Sequence, residues 1–243
     1  MIDFPIVDTH VHFSDPDTLE YPWIEEGTPL ARSFSPADFT RANGDLNIER
    51  IVFLQCECLP SQGSKEAKWV AELSKEDPRI QGTVAFAPLE NGDAARAELD
   101  ALSDVPLVKG VRRLIQSESV DFCVQSEFIK GVQALEAYDL SFDLCVFHPQ
   151  LENTIELVKQ CPNIRFILDH IAKPDIKNGL MEPWAPQMRT LSEFENVWCK
   201  VSGMVTEADH ANWTREDLKP YIDHVIECFG FERVIYGGDW FVS

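Results

Sequence analysis

The feature that most limits the fold of this chain is a regular alternation of short apolar runs with stretches of helical periodicity. Ile6–Phe13, Arg50–Glu57, Ile80–Pro88, Leu107–Ile115, Ser141–His148, Ile164–His170, Val197–Gly203 and Arg233–Asp239 read as strands. Between them, Ser35-Pro36-Ala37-Asp38 opens a helix, with Ser at the N-cap and Pro in the first turn. Lys65–Lys75, Ala94–Leu102, Gln125–Tyr138, Glu152–Gln160, Trp184–Phe194 and Leu218–Phe229 carry the remaining helical patterns. The strands are near-continuous apolar runs rather than alternating ones, as expected of parallel strands buried on both faces. Eight such units in 243 residues predict an α/β chain folded as a (β/α)8 TIM barrel, in one domain over residues 1–243. An open doubly wound sheet is disfavoured, because no glycine-rich dinucleotide fingerprint follows the first strand. The sequence stops just past the eighth strand, so an eighth helix is expected to be absent. Apolar surface left bare beside that gap would favour a homo-oligomer.

A formal charge of −20 argues against a nucleic-acid partner, which needs a basic footprint, and against docking on an anionic membrane. The seven cysteines include no CxxC pair, so neither a zinc ribbon nor a disulfide framework is expected. Reduced thiols in the cytoplasm are the better reading. Neither a secretory signal nor an apolar run of membrane-spanning length is visible. A soluble protein acting on a small molecule is the remaining expectation.

In a barrel, catalytic groups gather at the C-terminal ends of strands. The polar residues predicted there are His10 and His12, Glu57, Arg112, His148, His170 and Asp239. Four of the six histidines fall in this set. His10 and His12, one residue apart on a strand, project from the same face and can converge on one divalent ion. His148 and His170 have an ordinary alternative as hydrogen-bonded structural residues, which the clustering weighs against. No helix follows Asp239 for it to cap, so a functional role is preferred. Arg112 and Arg113 are adjacent on a strand and must face opposite ways; one directed into the barrel needs an anionic or carbonyl partner. Glu57 can either balance such an arginine or serve the site. His210 and His224 read as structural. The long loop around Tyr21-Pro22-Trp23-Ile24 suggests a lid or pocket wall, and Trp23 and Trp240 are candidates to line it.

These residues carry a resemblance. Val7-Asp8-Thr9-His10-Val11-His12-Phe13, Tyr21-Pro22-Trp23, Gly110-Val111-Arg112, Leu168-Asp169-His170 with Lys173-Pro174, and Gly238-Asp239-Trp240 together resemble the amidohydrolase superfamily. Within it, the chain is similar to the group containing L-fuconolactonase, L-rhamnonolactonase and 2-pyrone-4,6-dicarboxylate lactonase. Ser14 and Phe241 stand where relatives commonly have Trp and Pro. The resemblance implies hydrolysis of a lactone. His10, His12, His148 and Asp239 would hold one divalent ion, Zn or Mn. Asp239 would act as base and His170 would orient water or stabilise the oxyanion. Arg112, Trp23 and Trp240 would bind substrate. Some relatives hydrolyse lactones without a metal. A superfamily decarboxylase and a catalytically silent binding protein are the alternative readings.

Overall fold

Each predicted apolar run pairs in parallel with the next. The computed structural model describes residues 4–243. Its strands are β1 (Ile6–Val11), β2 (Ile48–Leu54), β3 (Ile80–Ala85), β4 (Val108–Arg112), β5 (Ser141–Leu144), β6 (Phe166–Leu168), β7 (Val197–Val201) and β8 (Val234–Tyr236). They form one eight-stranded sheet in sequence order. The barrel closes just beyond β8, where Val11 bridges Trp240 in parallel. There the His12 amide donates to the Trp240 carbonyl at 2.7 Å, and the Asp239 amide to that of His10 at 2.8 Å. The fold is a TIM barrel.

The helices are α1 (Pro36–Asn43), α2 (Gly63–Glu76), α3 (Arg96–Ser103), α4 (Ser126–Ala134), α5 (Leu151–Gln160), α6 (Trp184–Ser192) and α7 (Arg215–Phe229). Ser35 caps α1 as predicted, within a capping box completed by Asp38. Thr214 and Asp217 repeat that device at α7. Among the described residues no helix follows β8, and none is long and apolar enough to cross a membrane. The seven cysteines are all unpaired.

The strands are shorter at their C-terminal ends than the apolar runs suggest. β5 ends at Leu144 and β6 at Leu168, because the chain turns into short 3-10 segments once it reaches the barrel mouth. Apolar residues there are buried by the turns above the mouth rather than by continued pairing. Ile171 and Ala172, for example, are fully buried outside any strand.

Candidate active site

Four side chains from three parts of the barrel converge at its mouth. His10 and His12 come from β1 and its end, His170 follows β6, and Asp239 follows β8. All four are at most 5% exposed. The His10 and His12 Nε2 atoms are 3.2 Å apart. Asp239 Oδ1 lies 3.4 Å from His10 Nε2, 3.5 Å from His12 Nε2 and 4.0 Å from His170 Nε2.

Outer contacts explain why the Nε2 atoms face inward. His12 Nδ1 donates to the Leu54 carbonyl at 2.9 Å; a carbonyl only accepts, so that nitrogen carries the proton. His10 Nδ1 is 3.5 Å from Asp169 Oδ1, and His170 Nδ1 is 2.8 Å from Ser202 Oγ. Burial drives the His170 pKa down to about 4 and that of His10 well below its ordinary value, so both rings are neutral. Burial opposes the charge on Asp239. The close approach of the His12, His170 and His10 imidazoles outweighs that, and the carboxyl stays well below the usual carboxylate range.

This donor set fits a divalent ion. The Nε2 atoms of His10 and His12 face each other beside a carboxylate, and the His12 Nδ1 proton is committed to the Leu54 carbonyl, which leaves its Nε2 lone pair free to take a cation. The separations of 3.2–4.0 Å are within reach of ligands each about 2.1 Å from a common centre. His10, His170 and Asp239 present their ligand atoms within 4.8 Å of one another. The Asp169, Leu54 and Ser202 contacts to the distal nitrogens are the outer support such ligands need.

His148 is not brought into this cluster. It is four residues past the end of β5, opening a 3-10 turn, and takes no part in lining the cavity. Cys145, adjoining the end of β5, lines that cavity in its place. The imidazole that completes the cluster is His170. Trp240 also departs from expectation. It packs away from the cavity against Phe13, Phe34 and Phe39, with ring centroids 6.2, 5.6 and 5.4 Å away, and so fills the space under α1. Trp23 does line the cavity; its Nε1 donates to the Cys56 carbonyl at 2.9 Å, which orients the indole.

Arg112 and Arg113 diverge as strand geometry requires. Arg113 pairs with Glu90 and Glu118. Arg112 is buried in the mouth, where its Nη2 donates to the Gln55 carbonyl at 2.7 Å and its Nη1 lies 3.3 Å from both Asp169 Oδ2 and His10 Nε2. Its Nε has no partner. Glu57 faces the cavity too, tied to Gln55 by reciprocal bonds of 2.6 and 2.7 Å. His210 and His224 bond only loop or helix groups. The cavity has a volume of about 460 Å³, ample for a small cyclic ester.

Beneath the mouth runs an ion network, of which Lys200 and Asp143 are not among the residues the sequence points to. Lys200 on β7 lies 2.9 Å from Asp143 of β5 and 2.8 Å from Asp169. Lys200 and both carboxylates are essentially fully buried. Burial disfavours the Lys200 ammonium, but Asp143 and Asp169 overcome this and raise its pKa. The detectable signal was a charged residue inside an apolar strand run: lysine in Val197-Trp-Cys-Lys-Val201 and aspartate in Ser141-Phe-Asp-Leu144. A charge buried in a parallel barrel must be paired.

Gly203, with φ of +56°, closes the site from behind. A Cβ there would stand 2.5 Å from His170 Nδ1 and 3.0 Å from Asp239 Oδ2. Gly203→Ala therefore combines left-handed strain with displacement of two site residues. The expected result is at least a tenfold fall in kcat with a smaller loss of thermal stability, read by steady-state kinetics and calorimetry.

A barrel whose β1 supplies HxH, and whose later strand ends supply a further imidazole and an aspartate, defines a hydrolase-type mouth built to activate water. The family model described as amidohydrolase matches residues 7–243, and the chain belongs to that family. It is 29% identical over 240 residues to an L-fucono-1,5-lactonase of Burkholderia ambifaria, covering 98% of this chain and 80% of that protein. An L-rhamnono-gamma-lactonase of Scheffersomyces stipitis is 24% identical, with 99% of this chain and 86% of that protein covered. A crystal structure of an amidohydrolase from Burkholderia multivorans with bound zinc superposes with a TM-score of 0.85 at 28% identity, over 98% of this chain and 85% of that one.

Proposed function

We propose that this protein is a lactone hydrolase acting on a sugar aldonolactone. The observation that carries the reading is the gathering of the His10, His12 and His170 imidazoles around Asp239 Oδ1, with His12, His170 and Asp239 lining the barrel-mouth cavity. The lactonase relatives support it.

A lactone is an activated, strained acyl electrophile, so opening it requires a nucleophilic water, an acceptor for its proton and a donor to the developing oxyanion. Asp239 is ionised, buried and directed at the cavity, and takes the proton as water oxygen bonds to the acyl carbon. Arg112, which lines the cavity, donates to the carbonyl oxygen as negative charge develops there. His170 orients the water from the opposite side of Asp239. When the tetrahedral adduct collapses, the ring C–O bond breaks and Asp239 returns its proton to the leaving alkoxide. The product is a hydroxy acid, which ionises at neutral pH. His10, His12 and Asp239 would hold one divalent ion, Zn or Mn. When bound, such an ion supplies Lewis-acid polarisation of the carbonyl and lowers the pKa of water.

The cavity's polar groups support the sugar class. Glu57, Gln116, Ser117, Thr206 and Glu207 line it beside Trp23, offering acceptors and donors suited to hydroxyls. A pH-indicator screen of aldonolactones, with and without added Zn²⁺ or Mn²⁺, tests the proposal. At least one aldonolactone is expected to release acid at a rate well above its spontaneous opening. Failure across the panel under both conditions rejects the reading.

A further inference from the structure

The turn after β6 contains four consecutive non-glycine residues with left-handed backbone: His170, Ile171, Ala172 and Lys173, at φ of 52°, 49°, 60° and 47°. For L-residues this costs roughly 1–2 kcal/mol each, and a β-branched residue such as Ile171 is the least suited to it. Core packing holds the turn in place. Ile171 and Ala172 are fully buried, the Trp184 indole donates to the Ile171 carbonyl at 2.8 Å, and the Lys173 amide donates to that of His170 at 2.9 Å. Strain of this kind collects where a function requires it. Its outcome here is that both ends of the turn, His170 and Lys173, line the same cavity.

His170 belongs to the reacting corner; Lys173 has no task there. Its side chain is only 14% exposed, yet among the described residues its ammonium makes no hydrogen bond to a protein acceptor. Its nearest carboxylate oxygen is Glu207 Oε1 at 4.0 Å, and the Phe147 ring centroid is 5.1 Å away. A direct ammonium–carboxylate contact closes to about 2.7–2.9 Å. The Thr206 hydroxyl gives its proton to the Gly203 carbonyl at 2.6 Å, and its oxygen lies 3.1 Å from Glu207 Oε1, so that carboxylate oxygen keeps its accepting capacity. The cavity wall thus presents three free N–H donors next to a carboxylate acceptor, set too far apart to satisfy each other.

We propose that Lys173 and Glu207 form a clamp for a vicinal diol on the substrate, Lys173 donating to one hydroxyl oxygen and Glu207 accepting from its neighbour. Each hydroxyl both donates and accepts, so adjacent hydroxyls bridge a donor and an acceptor that stand apart. This rests on the aldonolactone reading, which it deepens by assigning the residues that select a hydroxylated ring. The rigid turn makes the clamp a positioning device: it fixes the diol relative to His170 and so to the acyl carbon.

The test uses wild type, Lys173→Met and Glu207→Gln on gluconolactone, galactonolactone and mannonolactone, each against δ-valerolactone, which has a lactone ring but no hydroxyls. For the aldonolactone that wild type handles best, the ratio of its kcat/KM to that of δ-valerolactone is expected to fall about tenfold or more in either variant. A purely structural role for the pair lowers both substrates together and leaves the ratio fixed, which overturns the proposal. A calorimetric arm requires no turnover: the corresponding hexonates are expected to bind wild type more tightly than hexanoate does, and to lose about tenfold in affinity in each variant. Selective loss of hexonate binding in a protein that opens no lactone would retain the clamp and reject the lactonase. Wild type that binds none of these hexonates and shows no preference for a hydroxylated lactone overturns the clamp.

Discussion

Asp239→Asn is expected to lower kcat on the best lactone by about 10³-fold or more, with the fold intact. The substitution is nearly isosteric. It preserves the backbone bond from residue 239 to the His10 carbonyl and leaves the packing around the barrel seam undisturbed. What it removes is the charge that three imidazoles face at 3.4–4.0 Å. An amide can neither take a proton from water nor return one to the leaving alkoxide. The same change deletes the carboxylate from the candidate metal ligands, so bound-metal content is expected to fall in parallel. Steady-state kinetics together with a thermal melt check this. A variant with near-normal turnover would remove Asp239 from the role of base.

The second large effect concerns stability. Lys200→Met is expected to cost about 3–5 kcal/mol, measured by chemical denaturation. Its ammonium is the close partner of both Asp143 and Asp169. Without it, two carboxylates face each other in a dry barrel with Arg112 as the remaining cation. The pH dependence has a definite sign. Burial raises the Asp143 pKa from 3.8 to about 6, with Lys200 opposing the rise. A raised carboxyl contributes stability below 3.8 that is lost as pH climbs through the folded-state value. Removing Lys200 pushes that value higher still, so the deficit of the variant is expected to be smaller at pH 5 than at pH 8. Lys200→Met combined with Asp143→Leu is expected to recover a substantial part of the loss, because it deletes the orphaned charge. If the single variant is as stable as wild type, the network does not hold the barrel interior together.

Much of the architecture was legible because parallel barrel strands are apolar on both faces, and their runs stand out between amphipathic helices. The ends of those runs were harder to place. Cys145, Val146 and Phe147 continue the apolar run of β5, yet the strand stops at Leu144. That overrun is why His148 looked like a strand-end ligand. The HxH pair was readable from period-two geometry alone, and Arg112 from the need to divide two adjacent arginines. Trp240 was not readable in this way: an indole next to a site residue fills a wall or a core equally well, and only the cluster of Phe13, Phe34 and Phe39 decides it. The left-handed turn that carries His170 and Lys173 was invisible for a different reason. Ile171, Ala172 and Lys173 do not favour that backbone, which tertiary burial imposes.

The central claim is that this mouth adds water to a lactone and keeps every carbon of it. The most direct measurement follows the carbonyl-labelled form of the best aldonolactone by carbon NMR while titrating released acid. The expected result is conversion of the lactone carbonyl into a single carboxylate signal, with one proton released per turnover and no labelled carbon dioxide. Loss of the labelled carbon as carbon dioxide would point to a decarboxylase, and unchanged lactone throughout would contradict the account altogether.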